Sequence, residues 1–474
     1  MSSNDKIHIE FPGRILLVGF GSIGQAVLPL ILRHIGIAPE RLTIVTAEDK
    51  GNEEAAKYGI KFVKERLTRE NYRRVLNPLL GRGDFLINVA VEVSSIALIK
   101  LCWEKGAMYL DTCIEPWPGG YTDPTVPASR RTNYVLREEA LALRAGNARA
   151  PTAVLTHGAN PGLVSHFVKQ ALLNIAADTK VEAGKPASRA EWSELARRLS
   201  VKVIHIAERD TQVSGKPKQL GEFVNTWSID GFVGEGSQPS EMGWGTHERN
   251  FPRDGKRHDA GCLAAIYLTQ PGASTRVRTW TPRAGHFHGF CITHSESISM
   301  ADYFTVRDGT QVAYRPTVHY AYHPCDSAVM SVYELAGRNY VQQERQRILM
   351  DDIVSGIDEL GVLLAGHRKN AYWYGSQLSI GDARKLAPYN NATTLQVCAA
   401  VLAGVVWAME NSNLGVVEPD EMDFRRNLEI CMPYLGPVTG EYTDWTPLHE
   451  RERLFPEDID KNDPWQFKNV RVIW

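Results

Sequence analysis

The apolar, β-favouring run Ile15-Leu16-Leu17-Val18 leads straight into Gly19-Phe20-Gly21-Ser22-Ile23-Gly24, and Gln25 to Leu32 follows at helical spacing. Further short apolar runs recur downstream: Leu42-Thr43-Ile44-Val45, Ile60-Lys61-Phe62-Val63, Phe85 to Val91, Ala107 to Asp111 and Ala153-Val154-Leu155-Thr156. Polar stretches with helical spacing, such as Arg69 to Leu80 and Ser95 to Trp103, separate them. Strands alternating with helices predict a doubly wound parallel sheet over residues 1–155. Beyond it the texture changes. Val201 to Ala207, Glu222 to Trp227, Ala264 to Leu268 and Gly289 to Thr293 read as strands with long loops and few helices between them. A second α+β domain with a mixed or antiparallel sheet is therefore expected over 156–390. A helix from Ala392 to Glu410 and a Pro/Trp-rich tail over 391–474 are expected to pack back on both. The nearly apolar run Leu395 to Met409, interrupted by Gln396, is too short to span a bilayer and reads as a buried helix.

A strand delivered into GxGxxG and continued as a helix is the arrangement in which glycines let backbone approach a pyrophosphate at a helix N-terminus. Gly19, Gly21, Ser22, Ile23 and Gly24 are thus candidate dinucleotide contacts. The acid expected at the end of the second strand is Thr46 by position, with Glu48 and Asp49 displaced onward. A carboxylate there reaches a ribose 2′-OH and repels a 2′-phosphate, which favours NAD over NADP and makes Glu48 a cofactor candidate.

Composition narrows the field. A formal net charge of -2 gives no basic field for nucleic acid or an anionic membrane, so partners of those kinds are not expected. Seven scattered cysteines without a CxxC pair fit reduced thiols. The start, Met1 to Lys6, lacks the pattern of an export signal, and a cytoplasmic protein is expected. His319, His323 and Cys325 superficially resemble a metal cluster, but nothing completes it, and no metal is expected.

Acids gather where an open parallel sheet binds ligands, outside the C-terminal ends of its strands. Glu92 follows the fourth strand and Glu115 the fifth; in the second half Glu208 ends a strand-like run, and Glu235 lies shortly after Trp227. Carboxylates around a nicotinamide would bind a cation, and Trp227 could cover an ammonium by cation–π attraction or simply fill a core. Asn160 could cap the helix beginning near Leu163, or hydrogen-bond substrate or nicotinamide. His294 sits where a pKa near neutrality would suit proton transfer, though a structural role fits equally.

The segments EPW (115 to 117), GANPG (158 to 162), HIAERDTQ (205 to 212), FVNTWS (223 to 228), YRPTVHYAYHP (314 to 324), NAYWYGSQLSI (370 to 380) and LFPEDID (454 to 460), together with the glycine turn, resemble bacterial homospermidine synthases, in a saccharopine dehydrogenase-like superfamily. The resemblance runs from the glycine turn to the C-terminus. It implies a homodimer that joins two putrescines into homospermidine and releases ammonia, with NAD taking a hydride and returning it; spermidine is a possible alternative donor. It implies catalytic roles for Glu208, Glu235, His294 and Trp227, with Trp227 as the cation–π residue, and substrate contacts for Glu92, Glu115 and Asn160. Asn160 would also touch the cofactor. Where the family pattern has an aspartate, this chain has Glu92, one methylene longer. Two other readings remain at this stage. A saccharopine or carboxynorspermidine dehydrogenase-like imine reductase would need a convergent cation for its carboxylate substrate, and Arg209 and Arg276 are available. A non-catalytic NAD-binding protein would need no such acids.

Overall fold

The computed structural model describes residues 6–473; Met1 to Asp5, part of the segment read above for an export signal, and Trp474 lie outside the described residues. The N-terminal half forms a seven-stranded parallel sheet in the order Val416–Val417, Ala153–Val154, Met108–Asp111, Phe85–Asn88, Ile15–Val18, Leu42–Thr46, Lys61–Lys64. Ile15–Val18 is buried throughout, as expected of a central parallel strand. The edge strand Val416–Val417 comes from the far C-terminal region and pairs in parallel with Ala153–Val154. The helix expected over Arg69 to Leu80 is reduced to Tyr72–Leu76, because Pro78 cannot continue it. Ser95–Lys105 is helical as expected, with the Ser94 hydroxyl accepting from Ala97 N and Gly106 closing it in the left-handed region at φ +72°.

The second half is built on an 11-stranded mixed sheet. Its main path runs Gly255–Arg257, Ala265–Pro271, Pro239–Gly243, Thr317–His323, Val203–Asp210, Ile357–His367, Asn370–Ser379, Val438–Thr443. Thr317–His323 and Val203–Asp210 are parallel neighbours, with Tyr322 opposite Glu208. Helices are more numerous here than the long loops suggested: Leu163–Thr179, Arg189–Arg198, Ile229–Ser237, Ser295–Tyr303 and Asp326–Gly337 all intervene. Glu222–Asn225 does not join the large sheet but pairs with Arg345–Ile348 as a separate two-stranded ribbon.

Between the sheets lies Ala392–Glu410, capped by the Asn391 carboxamide, which accepts from Thr394 N. At 19 residues it extends past the apolar run and is long and apolar enough to cross a membrane, which corrects the length argued from sequence. In this fold, however, 94% of its apolar window is buried inside the protein. It packs on the glycine-turn helix Ser22–His34 and on strands of both sheets, bringing the strand ends of one sheet against a face of the other.

Candidate functional site

The first cavity follows from the glycine turn. Gly19 sits at φ +91°, and a Cβ there would come within 2.7 Å of Ala90 N; one on Gly24 would meet the Gly19 carbonyl at 2.5 Å. A Cβ on Gly21, in contrast, would meet nothing within 4 Å, so that side of the turn is open. The first turn of Ser22–His34 carries no acid and its N-cap makes no side-chain hydrogen bond, among the described residues. Its backbone N–H groups are therefore free to meet an anion. This helix end opens on a cavity of about 1360 Å³ whose lining includes Gly19, Gly21, Ser22, Ile23, Glu48, Arg66, Ala90, Glu92 and Asp230. Glycine backbone, unused helix N–H groups and a long groove fit a dinucleotide. Glu48 lines the groove, whereas Asp49 is ion-paired with Lys64. Gly24, packed on Gly19, serves the turn rather than the groove wall.

A second cavity, of about 800 Å³, adjoins the first along Ile23, Val89, Ala90, Val91 and Ser228. Its lining holds Glu115, Glu208 and Glu235, with Trp227, Asn160, His294 and Tyr320. Among the described residues no lysine or arginine lines it. Arg209 is directed at Asp326 and the Pro324 carbonyl, and Arg276 lies 3.6 Å over the Phe290 ring, so neither supplies the convergent cation weighed above. A third cavity, of about 1030 Å³, shares Val91, Glu115, Gly231 and Glu235 with the second and adds Glu92, Asp230 and Trp117 around its wall. Glu92 thus lies outside the inner cavity. Its backbone is left-handed at φ 61°, and its N–H donates to Glu115 Oε2 at 3.1 Å.

Each acid has a different setting. Glu208 is 3% exposed; Asn160 Nδ2 donates to its Oε2 at 2.8 Å and the Tyr320 hydroxyl donates to the same oxygen. Burial pushes Glu208 up to about 7, against those hydrogen bonds. Asn160 does not cap the following helix, whose N-cap is Gly162; its carboxamide is spent on Glu208. Burial likewise holds Glu115 well above the usual carboxylate range, and Glu235 adds to the effect.

His294 departs from expectation. Its Nε2 lies 3.1 Å from Glu235 Oε2 and its Nδ1 3.2 Å from Glu296 Oε1. Burial alone would lower the imidazole, but Glu296 and Glu235 outweigh it and raise it to about 10. His294 is therefore a fixed cation between two carboxylates, not a group titrating near neutrality. Glu296 went unnoticed in the sequence although it stands two residues away, because a lone acid in Thr293-His294-Ser295-Glu296 gives no sign that the helix start turns it back on the ring.

Trp227 is part-buried in the wall of the inner cavity, and its Nε1 donates to the Tyr322 hydroxyl at 3.0 Å. Glu235 reaches the same cavity from the glycine-containing helix Ile229–Ser237. Tyr320, Tyr322 and Thr393 were also missed. Tyr320 and Tyr322 had a signal, since residues two apart on a strand share a face.

The comparisons with known proteins agree with this geometry. Residues 15–155 match the saccharopine dehydrogenase NADP binding domain, and residues 158–444 match the saccharopine dehydrogenase C-terminal domain. The chain is 54% identical over 470 residues to a homospermidine synthase of Blastochloris viridis, covering 98% of each. It is 51% identical over 478 residues to one of Mesorhizobium japonicum, covering 99% of each. A crystal structure of the homospermidine synthase from Legionella pneumophila in complex with NAD matches with a TM-score of 0.93 at 49% identity, over 99% of both chains. With that likeness running through both sheets and the cavities between them, the chain belongs to the homospermidine synthase family.

Proposed function

We propose that the protein is an NAD-dependent homospermidine synthase, which joins two putrescines and releases ammonia. The observation that carries this reading is the shared wall: a cavity holding Glu115, Glu208, Glu235 and Trp227 but no lysine or arginine among the described residues adjoins the dinucleotide groove. A site of this charge selects a diamine over the carboxylate-bearing substrates of an imine reductase. Residues 1–155 would bind the dinucleotide, 156–390 would carry the amine side, and 391–474 would close both.

Gly19, Gly21, Ser22 and Ile23, with the helix N-terminus behind them, would hold the cofactor's phosphates, and Glu48 would face its ribose. When bound, the nicotinamide supplies a hydride acceptor that also restores the hydride, so no net oxidation results. The chain's own groups handle charge and protons. Both described hydrogen bonds to Glu208 fall on Oε2, which leaves Oε1 to face an amine and take its proton. Cationic His294 keeps Glu235 oriented through Nε2, so that Glu235 is aimed at an ammonium at the junction of the inner and outer cavities. The indole face of Trp227 would steady the cationic centre formed as the two amines are joined, an attraction of about 0.5–2 kcal/mol. Glu92 and Glu115, flanking the outer cavity, would hold the far ammonium, whose charge would offset the burial that otherwise favours the neutral form of Glu115. Spermidine as donor would extend along the same wall. The seven unpaired cysteines support a cytoplasmic location, and a homodimer is the family-based expectation, which light scattering checks.

Purified protein incubated with putrescine and substoichiometric NAD+ should give homospermidine and ammonia by mass spectrometry, many-fold in excess of NAD+. NADH consumed in proportion to product would instead favour an imine reductase. Tighter binding of NADP+ than of NAD+ would remove Glu48 from its proposed place.

A further inference from the structure

Trp227 works only if its face is aimed, and the strand leading to it ends at Asn225, so the ribbon does not fix the ring. Its polar anchor is a contact from the large sheet. The indole has one donor, Nε1–H, and it is directed at the Tyr322 hydroxyl at 3.0 Å. Tyr322 itself is 0% exposed and does not line the amine cavity. Its ring stacks on Tyr320 with centroids 5.1 Å apart and planes 8° apart. Phe232 packs edge-on against it at 5.7 Å and 63°, and lies tilted against Trp227 at 5.6 Å and 40°. Tyr320 is in turn tied to Glu208 through its hydroxyl. The phenol oxygen that accepts the indole N–H hydrogen bond is therefore held by packing, on a strand whose neighbouring residue on the same face orients the cavity's acid. Burial, with the charges of Glu208, Asp210 and Asp358, holds the Tyr322 hydroxyl far above its ordinary value, so it stays neutral.

We infer that Tyr322 is a positioning residue for the amine-transfer reaction: its hydroxyl, fixed by stacking on Tyr320, anchors the indole N–H of Trp227 and so aims the π face at the amine cavity. This rests on the reading given under Proposed function. The rival explanation is that Tyr322 merely fills the core, and the two separate cleanly because Phe keeps the ring and removes the anchor.

The test is a double-mutant cycle. In the native background, Tyr322→Phe should lower kcat with putrescine roughly ten-fold while KM and the NAD dissociation constant stay within about two-fold, the scale expected for losing one oriented hydrogen bond. In a Trp227→Phe background, which has no N–H to anchor, the same substitution should cost nothing further. Single-turnover product detection with enzyme in excess keeps the slow variants measurable. Equal losses in both backgrounds, or no loss in the native one, would overturn the inference. A second readout does not depend on the reaction. In protein labelled with 15N-tryptophan, the indole resonance that disappears in Trp227→Phe should shift upfield in Tyr322→Phe. An unmoved resonance would refute the anchor even if homospermidine is made. A native protein that makes none, with the resonance shifted, would instead refute the reaction assigned to the site and leave Tyr322 as the anchor of Trp227.

Discussion

The strands Val203–Asp210 and Thr317–His323 bury polar side chains on both faces of the large sheet, and the two faces treat them in opposite ways. On one face Glu208 and Tyr320 meet the amine cavity, close to His294 from the next layer. On the other, His205 and His319 lie with ring centroids 4.2 Å apart, covered by Trp465 and Phe467 of the C-terminal segment. Burial disfavours charge at every one of these positions. For His319 it prevails and lowers the imidazole to about 4, and His205 falls well below its ordinary value, with His319 adding to burial. For His294 the paired carboxylates prevail and the ring stays cationic. Partners, rather than depth, decide which buried histidine keeps its proton. The same strands thus support a charged reaction chamber on one side and a neutral aromatic core on the other.

The largest effect should come from breaking the charged side. Glu235→Gln removes the carboxyl group that His294 holds in place, and turnover should fall at least about 100-fold with NAD affinity unchanged, measured by steady-state kinetics and calorimetry. A near-normal rate would remove Glu235 from the chemistry. Next comes the aromatic wall: Trp227→Ala should cost about ten-fold more in kcat than Trp227→Phe, because a phenyl face keeps part of the quadrupole. Equal losses would mean that Trp227 only packs.

Smaller and more diagnostic is the pH profile. With Glu208 near 7, its proton-accepting carboxylate form is gained as pH rises through 7, so kcat/KM should climb there and the climb should vanish in Glu208→Gln. A limb that survives the substitution belongs to another group. The smallest effect lies on the neutral face and should spare activity. His319 is depressed from 6.5 to about 4 in the fold, so protons bind the unfolded chain preferentially. Its stabilising neutrality is complete above 6.5 and is lost as pH falls from 6.5 toward 4. His319→Phe should therefore make that part of the pH dependence of chemical denaturation less steep, with the contribution of His205 remaining, while leaving kcat unchanged. A large drop in kcat would mean that the two faces are not separate.

The local chemistry of the chain was legible wherever it is contiguous. Ile15 to Gly24 announces a strand, a turn and a helix start within ten residues, and the acids at strand ends follow from where parallel sheets bind ligands. Long-range contacts were not. Glu208 meets Tyr320 across a separation of 112 residues, and Trp227 meets Tyr322 across 95, contacts that no local period encodes. For Asn160 the sequence left helix capping and a ligand contact both open, because its partner, the Glu208 carboxylate, stands 48 residues away. The neutral-range reading of His294 failed because the weight of Glu235 and Glu296 appears only when helix and strand are assembled. Helices such as Ile229–Ser237, with glycines at 231, 234 and 236, have little helical propensity of their own and are held by what they pack against.

The central claim is a condensation without net oxidation, and isotope retention tests it most directly. Putrescine deuterated at both terminal carbons, supplied with NAD+ and unlabelled solvent, should give homospermidine that keeps every deuterium, because the hydride removed from the donor carbon returns to it. Product in which one deuterium has been replaced by protium, most of all when unlabelled NADH is added, would contradict the closed cycle and with it the account of the site.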